Sequence, residues 1–272
     1  MPLEFSPGVD HGEQWELIAP SAIAHDPHYA VPRAMTKDEI RLSLDYWRNA
    51  AARALDAGFE VLEIHGAHGY LIHQFLSPAA NRRTDEYGGS FDKRMRFALD
   101  VVASVRQVWP AEKPLFFRMS SVDDAGWELS HSVELARRLG AAGVDVIDCS
   151  AGGMSEASVA DLAPTYGYQV GYAQDIRKSS GVRTMAVGLI VHPDQADTII
   201  REGARTWSHS VGRCCTTPTG RWTQRRSWAL RRWITCPGAM PTGWRNAQGP
   251  SRESPPPGRR ALRASSNSGR GA

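Results

Sequence analysis

Twice in this chain a helical stretch stops at a glycine and passes at once into a run of apolar residues, in ALDAGFEVLEI (residues 54–64) and in RRLGAAGVDVIDCS (residues 137–150). A joint of this kind cannot make a hairpin. The strand must be reached from a helix and left into another, which makes neighbouring strands parallel.

The rest of the chain keeps the same alternation. Thr36-Lys37-Asp38-Glu39 has the S/T-x-x-E form of a capping box and opens a helix running to about Asp56, with Gly58 after it. A strand is predicted over 59–64. A helix over 92–108 precedes a strand over 114–119, and a helix over 130–142 precedes one over 144–149. A helix over 171–179 precedes a strand over 183–190, and a last helix over 193–202 ends at Gly203. The strands are nearly continuous in apolar residues, as expected when both faces are covered. The predicted fold class is therefore α/β: a partial (β/α)8 TIM barrel holding about strands four to seven of eight. On this reading residues 1–35 are an N-terminal loop remnant and 36–203 are the barrel portion. The expectation is that three strands are missing ahead of Met1 and one after Gly203, leaving open edges and an exposed apolar interior.

Residues 204–272 read differently. They contain thirteen Arg, no Lys and only Glu253 as an acid, which gives +12 against −9 for residues 1–203 and leaves the chain at +3. Their branched aliphatics are Val211, Leu230, Ile234 and Leu262, too few for a core. An unstructured tail is expected. The five Trp and three Cys in it are unlike ordinary disorder and fit a reading-frame shift in GC-rich DNA. With one choice of codons for residues 204–220, reading from the third base gives ADLVALGREMLYDPNW: an apolar strand, a Gly-Arg turn and a helix start. In the frame as written, Gly212-Arg213 has no apolar strand before it. A basic tail for nucleic acid is disfavoured, because Arg without Lys or helical patterning is weak support.

No run of about 18 apolar residues is present, so no membrane span is expected, and MPLEFSPGVDHGEQW lacks a basic start followed by an apolar core. A cytoplasmic location is expected. No C-x-x-C pair occurs, so neither a zinc site nor a disulfide framework is indicated, and Cys149 reads as core.

The chemistry is concentrated in EIHGAHGYLIHQFLSPAANRRTDEYGGSFDKRMRF, residues 63–97. His65 and His68 are placed just past a strand's C-terminal end, the face where β/α barrels carry their catalytic groups. Two neutral imidazoles spaced three apart can donate to one oxygen and stabilise charge building on it. Tyr70, at the same rim, has a hydroxyl able to give a proton. Satisfied histidines at a barrel rim are the competing reading. His73 invites a metal, but no carboxylate or Cys completes a set at ligand spacing, and a structural role is expected. Arg82, Asp85 and Arg94 are expected to pin the loop over 81–90 by ion pairs. Arg118 lies inside an apolar strand, LFFRMS, which is costly without an anion; a salt bridge to Asp148 or Glu63 competes with a functional role. Gly188, in AVGLI directly after the strand core over 183–187, is either a tight turn or part of the phosphate site that barrels form there.

The order H-x-x-H-G-Y, FLSP and N-R-x-x-D-x-Y-G-G-S, with APSAIA at 19–24, resembles the Old Yellow Enzyme family, especially its xenobiotic-reductase-like branch, over about residues 17–203. The resemblance implies FMN and NAD(P)H as cofactors and an activated alkene (an enone) as the small-molecule substrate. It implies that His65 and His68 bind the substrate carbonyl, that Tyr70 donates a proton, and that Arg118 and Gly188 contact FMN. It implies no metal, no nucleic acid and no membrane partner, and leaves a homo-oligomer open. The alternative is a non-catalytic barrel fragment unable to bind FMN.

Overall fold

The computed structural model describes residues 16–27, 29–154, 165–201 and 207–208. Its centre is a five-stranded parallel sheet in the order β3 (Leu62–Gly66), β4 (Leu115–Ser120), β5 (Val146–Ser150), β6 (Arg183–Ala186) and β7 (Trp207–Ser208). Sequence order equals spatial order, which is the one-directional winding of a β/α barrel. Between the strands run α2 (Leu71–Leu76), α3 (Phe91–Arg106), α4 (Leu129–Ala141), α5 (Val170–Ser180) and α6 (Pro193–Arg201), and α1 (Lys37–Asp56) precedes them. The four strands read from sequence are adjacent and parallel, as a partial barrel requires.

Three features differ from the sequence reading. Residues 18–34 are not only loop: β1 (Ile18–Ala19) and β2 (Arg33–Ala34) pair in parallel as a separate two-stranded sheet. Beyond Gly203, β7 continues the sheet, Met185 pairing with Trp207 and Ala186 with Ser208. The rest of the segment over 204–272, Gly212-Arg213 included, lies outside the described residues. Finally, β3 begins at Leu62 rather than Phe59, because Gly58, at φ 84, and the exposed Phe59 turn the chain before it reaches the edge of β4.

Helix starts follow local chemistry. Thr36 Oγ1 accepts from Glu39 N–H at 3.2 Å while Glu39 Oε2 accepts from Thr36 N–H at 2.7 Å, so both halves of the capping box are made. Ser90 caps α3 through Lys93 N–H. Among the described residues no helix is long and apolar enough to cross a membrane.

The two faces of the sheet have opposite character, since side chains alternate along a strand. One set, with Ile64, Leu115, Phe117, Met119, Ile147 and Cys149, joins the main apolar cluster with Val101, Val105, Leu135 and Leu139 of the helices. Cys149 is fully buried in it. The other set carries Glu63, His65, Arg118, Ser120, Asp148 and Ser150. The inner face is therefore not the bare apolar surface expected of an open barrel; along these strands it is largely polar, and the apolar mass lies under the helices.

This division predicts two very different costs. Phe117→Ala, in the outer layer, is expected to lower stability by roughly 3–5 kcal/mol. Thr36→Ala loses only the cap, about 1 kcal/mol. Urea unfolding followed by far-UV circular dichroism checks both, and near-equal losses would contradict the layer assignment.

Candidate active site

Four elements converge on the turn from His65 to Tyr70. His65 is inside β3, the fourth of its five residues, rather than beyond its end as the sequence suggested; only His68 lies past the strand. The parallel register sets His65 opposite Arg118, and Arg118 opposite Asp148, so three polar groups share one level of the inner face. The turn itself is left-handed at two consecutive residues, His68 at φ 57 and Gly69 at φ 75. His is among the few non-glycine residues that tolerate this region.

The turn is held from several sides. Ser120 Oγ accepts from His68 N–H at 3.1 Å and donates to Gly152 O at 2.7 Å. His68 Nε2 lies 2.6 Å from Ser150 Oγ. His73 Nδ1 accepts from Gly69 N–H at 3.0 Å, and Gln74 Nε2 donates to Gly69 O at 2.7 Å. The loop after β5 closes on top: a Cβ on Gly69 would stand 2.2 Å from Gly153 O, and one on Gly153 would stand 2.4 Å from His68 Cα. Both glycines are required by this approach. The result brings three rings together, His65–His68 and His65–Tyr70 each at 5.3 Å between centroids, with Tyr70 63% exposed at the rim.

Burial and the nearby Arg118 cation disfavour protonation here. Both push the His65 imidazole below its ordinary 6.5, and they take His68 down to about 4. At neutral pH both rings are uncharged donors. Asp148 is fully buried and 3.2 Å from Arg118. Burial pushes its carboxyl up from 3.8 to about 7, against the pull of Arg118. Glu63 is also raised by burial. Of the two partners open to Arg118, the ion pair is made with Asp148. Arg118 Nε remains buried without a hydrogen-bond acceptor.

Gly188, at φ 105, sits after β6. A Cβ there would meet Gln169 N and Tyr168 Cε1 at 3.1 Å, and its carbonyl accepts from Gly167 N–H at 2.8 Å. Packing inside the chain thus accounts for the missing Cβ. The loop over 81–90 is pinned by Arg83 rather than Arg82: Arg83 pairs with Asp85 at 2.6 Å and donates to Pro20 O at 3.0 Å. Arg94 donates to Leu76 O and Gly89 O, to carbonyls instead of an acid. Among the described residues no group of three or more His, Cys, Asp or Glu is placed to hold a metal ion.

A match to the NADH:flavin oxidoreductase / NADH oxidase family spans residues 8–213. The chain belongs to that family. It is 44% identical over 190 residues to the NADPH dehydrogenase of Bacillus subtilis, covering 69% of this chain and 55% of the relative. The figures for the NADPH dehydrogenase of a Geobacillus strain are 45% over 190 residues, 69% and 54%. The chain spans about half the length of the curated relatives it matches. Among solved structures it is similar to the old yellow enzyme homologue of Zymomonas mobilis, with a TM-score of 0.59, 25% identity, and coverage of 72% of this chain and 57% of that one. Morphinone reductase in complex with tetrahydroNAD gives 0.58, 25%, 71% and 55%. These likenesses bear out both the Old Yellow Enzyme membership read from the motif and the partial barrel read from the helix–strand alternation.

Membership makes FMN and NAD(P)H the family's cofactors, and the residues present fit the ring end of a flavin. Arg118 offers a buried N–H without an acceptor at the level of His65. Ser120 and Ser150, whose hydroxyls fasten the histidine turn, were missed by sequence reasoning; their only signal is a small hydroxyl residue closing each of two apolar strands.

The opposed shifts give a pH prediction. For His68 the unfolded chain binds the proton between about 6.5 and 4 and the folded chain does not, so stability falls as pH drops through that window. For Asp148 the folded chain holds the proton between 3.8 and about 7, so its contribution is full below 3.8 and is lost as pH rises through 7. The two oppose each other over the shared range. Asp148→Asn is expected to unmask a steeper loss of stability on acidification from pH 6.5, measured by denaturant midpoints. An unchanged slope would refute the Asp148 assignment.

Proposed function

We propose that this chain provides the substrate rim and flavin-ring contacts of an FMN-dependent NAD(P)H oxidoreductase that reduces activated alkenes such as enones. The observation that carries the reading is the convergence of His65, His68 and Tyr70 on one turn beside Arg118, in a chain of the flavin oxidoreductase family. Bound FMN would supply the hydride chemistry, with NAD(P)H as the source of the hydride and the alkene β-carbon as its acceptor. The protein's part is to hold the carbonyl oxygen with two uncharged imidazole donors, which stabilise the negative charge that grows there. His68 Nε2 lies against Ser150 Oγ, so the carbonyl oxygen competes with that hydroxyl for it. Tyr70, exposed at the rim, gives the proton to the α-carbon. Arg118 would hold the flavin ring and supply positive charge to it.

A second reading, a barrel portion that does not hold FMN on its own, is favoured by two contacts. Asp148 already stands 3.2 Å from Arg118, and Gln169 and Tyr168 are packed against the Cα of Gly188. A Gly-Arg preceded by an apolar strand, which would complete a phosphate site, is present only in the shifted reading of residues 204–220.

Titration of the purified chain with FMN, followed by quenching of flavin fluorescence, separates the two. On the first reading FMN is retained and enone-dependent NADPH oxidation follows. Tyr70→Phe is then expected to lower turnover by roughly 10²–10⁴, the range for a lost general acid. Absence of quenching decides for the second reading.

A further inference from the structure

His73 and Asp123 form a buried pair that the proposed reaction does not use. His73 sits on α2 and is fully buried, and Asp123 follows β4 with its side chain equally inaccessible. The two ring nitrogens of His73 have different neighbours. Nδ1 accepts from Gly69 N–H at 3.0 Å, so it carries no proton. The proton of the neutral ring is then on Nε2, which faces Asp123 Oδ2 at 3.4 Å. Asp123 is fixed in turn: its Oδ1 accepts from Trp127 N–H at 2.7 Å and Ala125 N–H at 2.9 Å. Burial opposes its ionisation, but His73 and these N–H groups hold its carboxyl below the ordinary carboxylate range.

Gly69 is the residue between His68 and Tyr70 and lies in the left-handed region. Its N–H is pointed by the peptide that also carries the His68 carbonyl. Anchoring that N–H therefore fixes the rotation of the His68–Gly69 peptide, the first of the two peptides between the candidate catalytic residues. With the other tautomer, or with an imidazolium, Nδ1–H would confront the Gly69 N–H and the anchor would be lost.

We propose that Asp123 and His73 are positioning residues: Asp123 selects the Nε2–H tautomer of His73, and His73 Nδ1 thereby locks the Gly69 peptide in the orientation that presents His68 and Tyr70 at the rim. The proposal rests on the reading of His68 and Tyr70 as the substrate-facing pair. Its geometry can be tested without turnover.

The test is histidine-ring 15N–1H long-range correlation spectroscopy on the full chain labelled with 15N-histidine, with thermal unfolding run in parallel. The expected result in the parent chain is a single neutral Nε2–H pattern for His73 at neutral pH. Asp123→Asn is expected to lose that single pattern and to shift the His68 ring signals, reporting displacement from Ser150. His73→Asn, which can keep an acceptor for Gly69 N–H, is expected to leave the His68 signals closer to the parent than His73→Leu does. An Nδ1–H or doubly protonated His73 in the parent chain overturns the proposal, whatever the variants do. So does an Asp123→Asn chain in which only the melting temperature moves and the His68 ring does not, the result of a merely structural pair. If the ring signals behave as expected while the parent chain neither binds FMN nor reduces enones, the positioning geometry stands and the function proposed for the turn fails instead.

Discussion

A parallel strand has no neighbour it can reach through a short turn, and this constraint organises everything else in the molecule. Each strand must be followed by a helix long enough to carry the chain back, so strand C-termini all emerge at one end of the sheet. That end is where His65, Arg118 and Asp148 come level and where the loops after β3, β4 and β5 meet. Residues 52 to 82 positions apart are brought into hydrogen-bond contact with His68 by nothing more than this winding.

The winding was legible in the residues. Helix–glycine–strand joints and the Thr36 cap marked the elements to within a few positions, since each depends on local chemistry that does not change on folding. The misses share a cause. Leu62, not Phe59, starts β3 because strand ends are set by the partner's edge, which a single segment does not reveal. β1 and β2 are two residues each, too short for periodicity, and exist only through each other. Asn81 could be seen as part of a shaped loop, but which arginine braces that loop was decided by the carbonyls of Pro20 and Met35, far off in sequence.

The site was legible in kind more than in detail. His65, His68 and Tyr70 stood out because their spacing within one motif already confines them to one turn. The clasp around them did not. Ser120, Ser150 and Gly153 are common residues in unremarkable surroundings, and their contacts with the turn are long-range; Asp123 reaches the turn only through His73. The Arg118 partner was narrowed by burial cost to two carboxylates, and register selected the one on β5.

The opposite character of the two sheet faces bears on how such a chain can change. The outer face is constrained by volume: its residues interlock with the helices, and an exchange there disturbs the whole layer. The inner face is constrained by charge and hydrogen bonding among a few groups. Along each strand these two regimes alternate from one residue to the next. Selection can therefore rewrite what the inner face recognises one alternate position at a time, while the scaffold's volume stays fixed. Divergence in specificity then proceeds in steps of two along the chain, largely uncoupled from the inheritance of the fold.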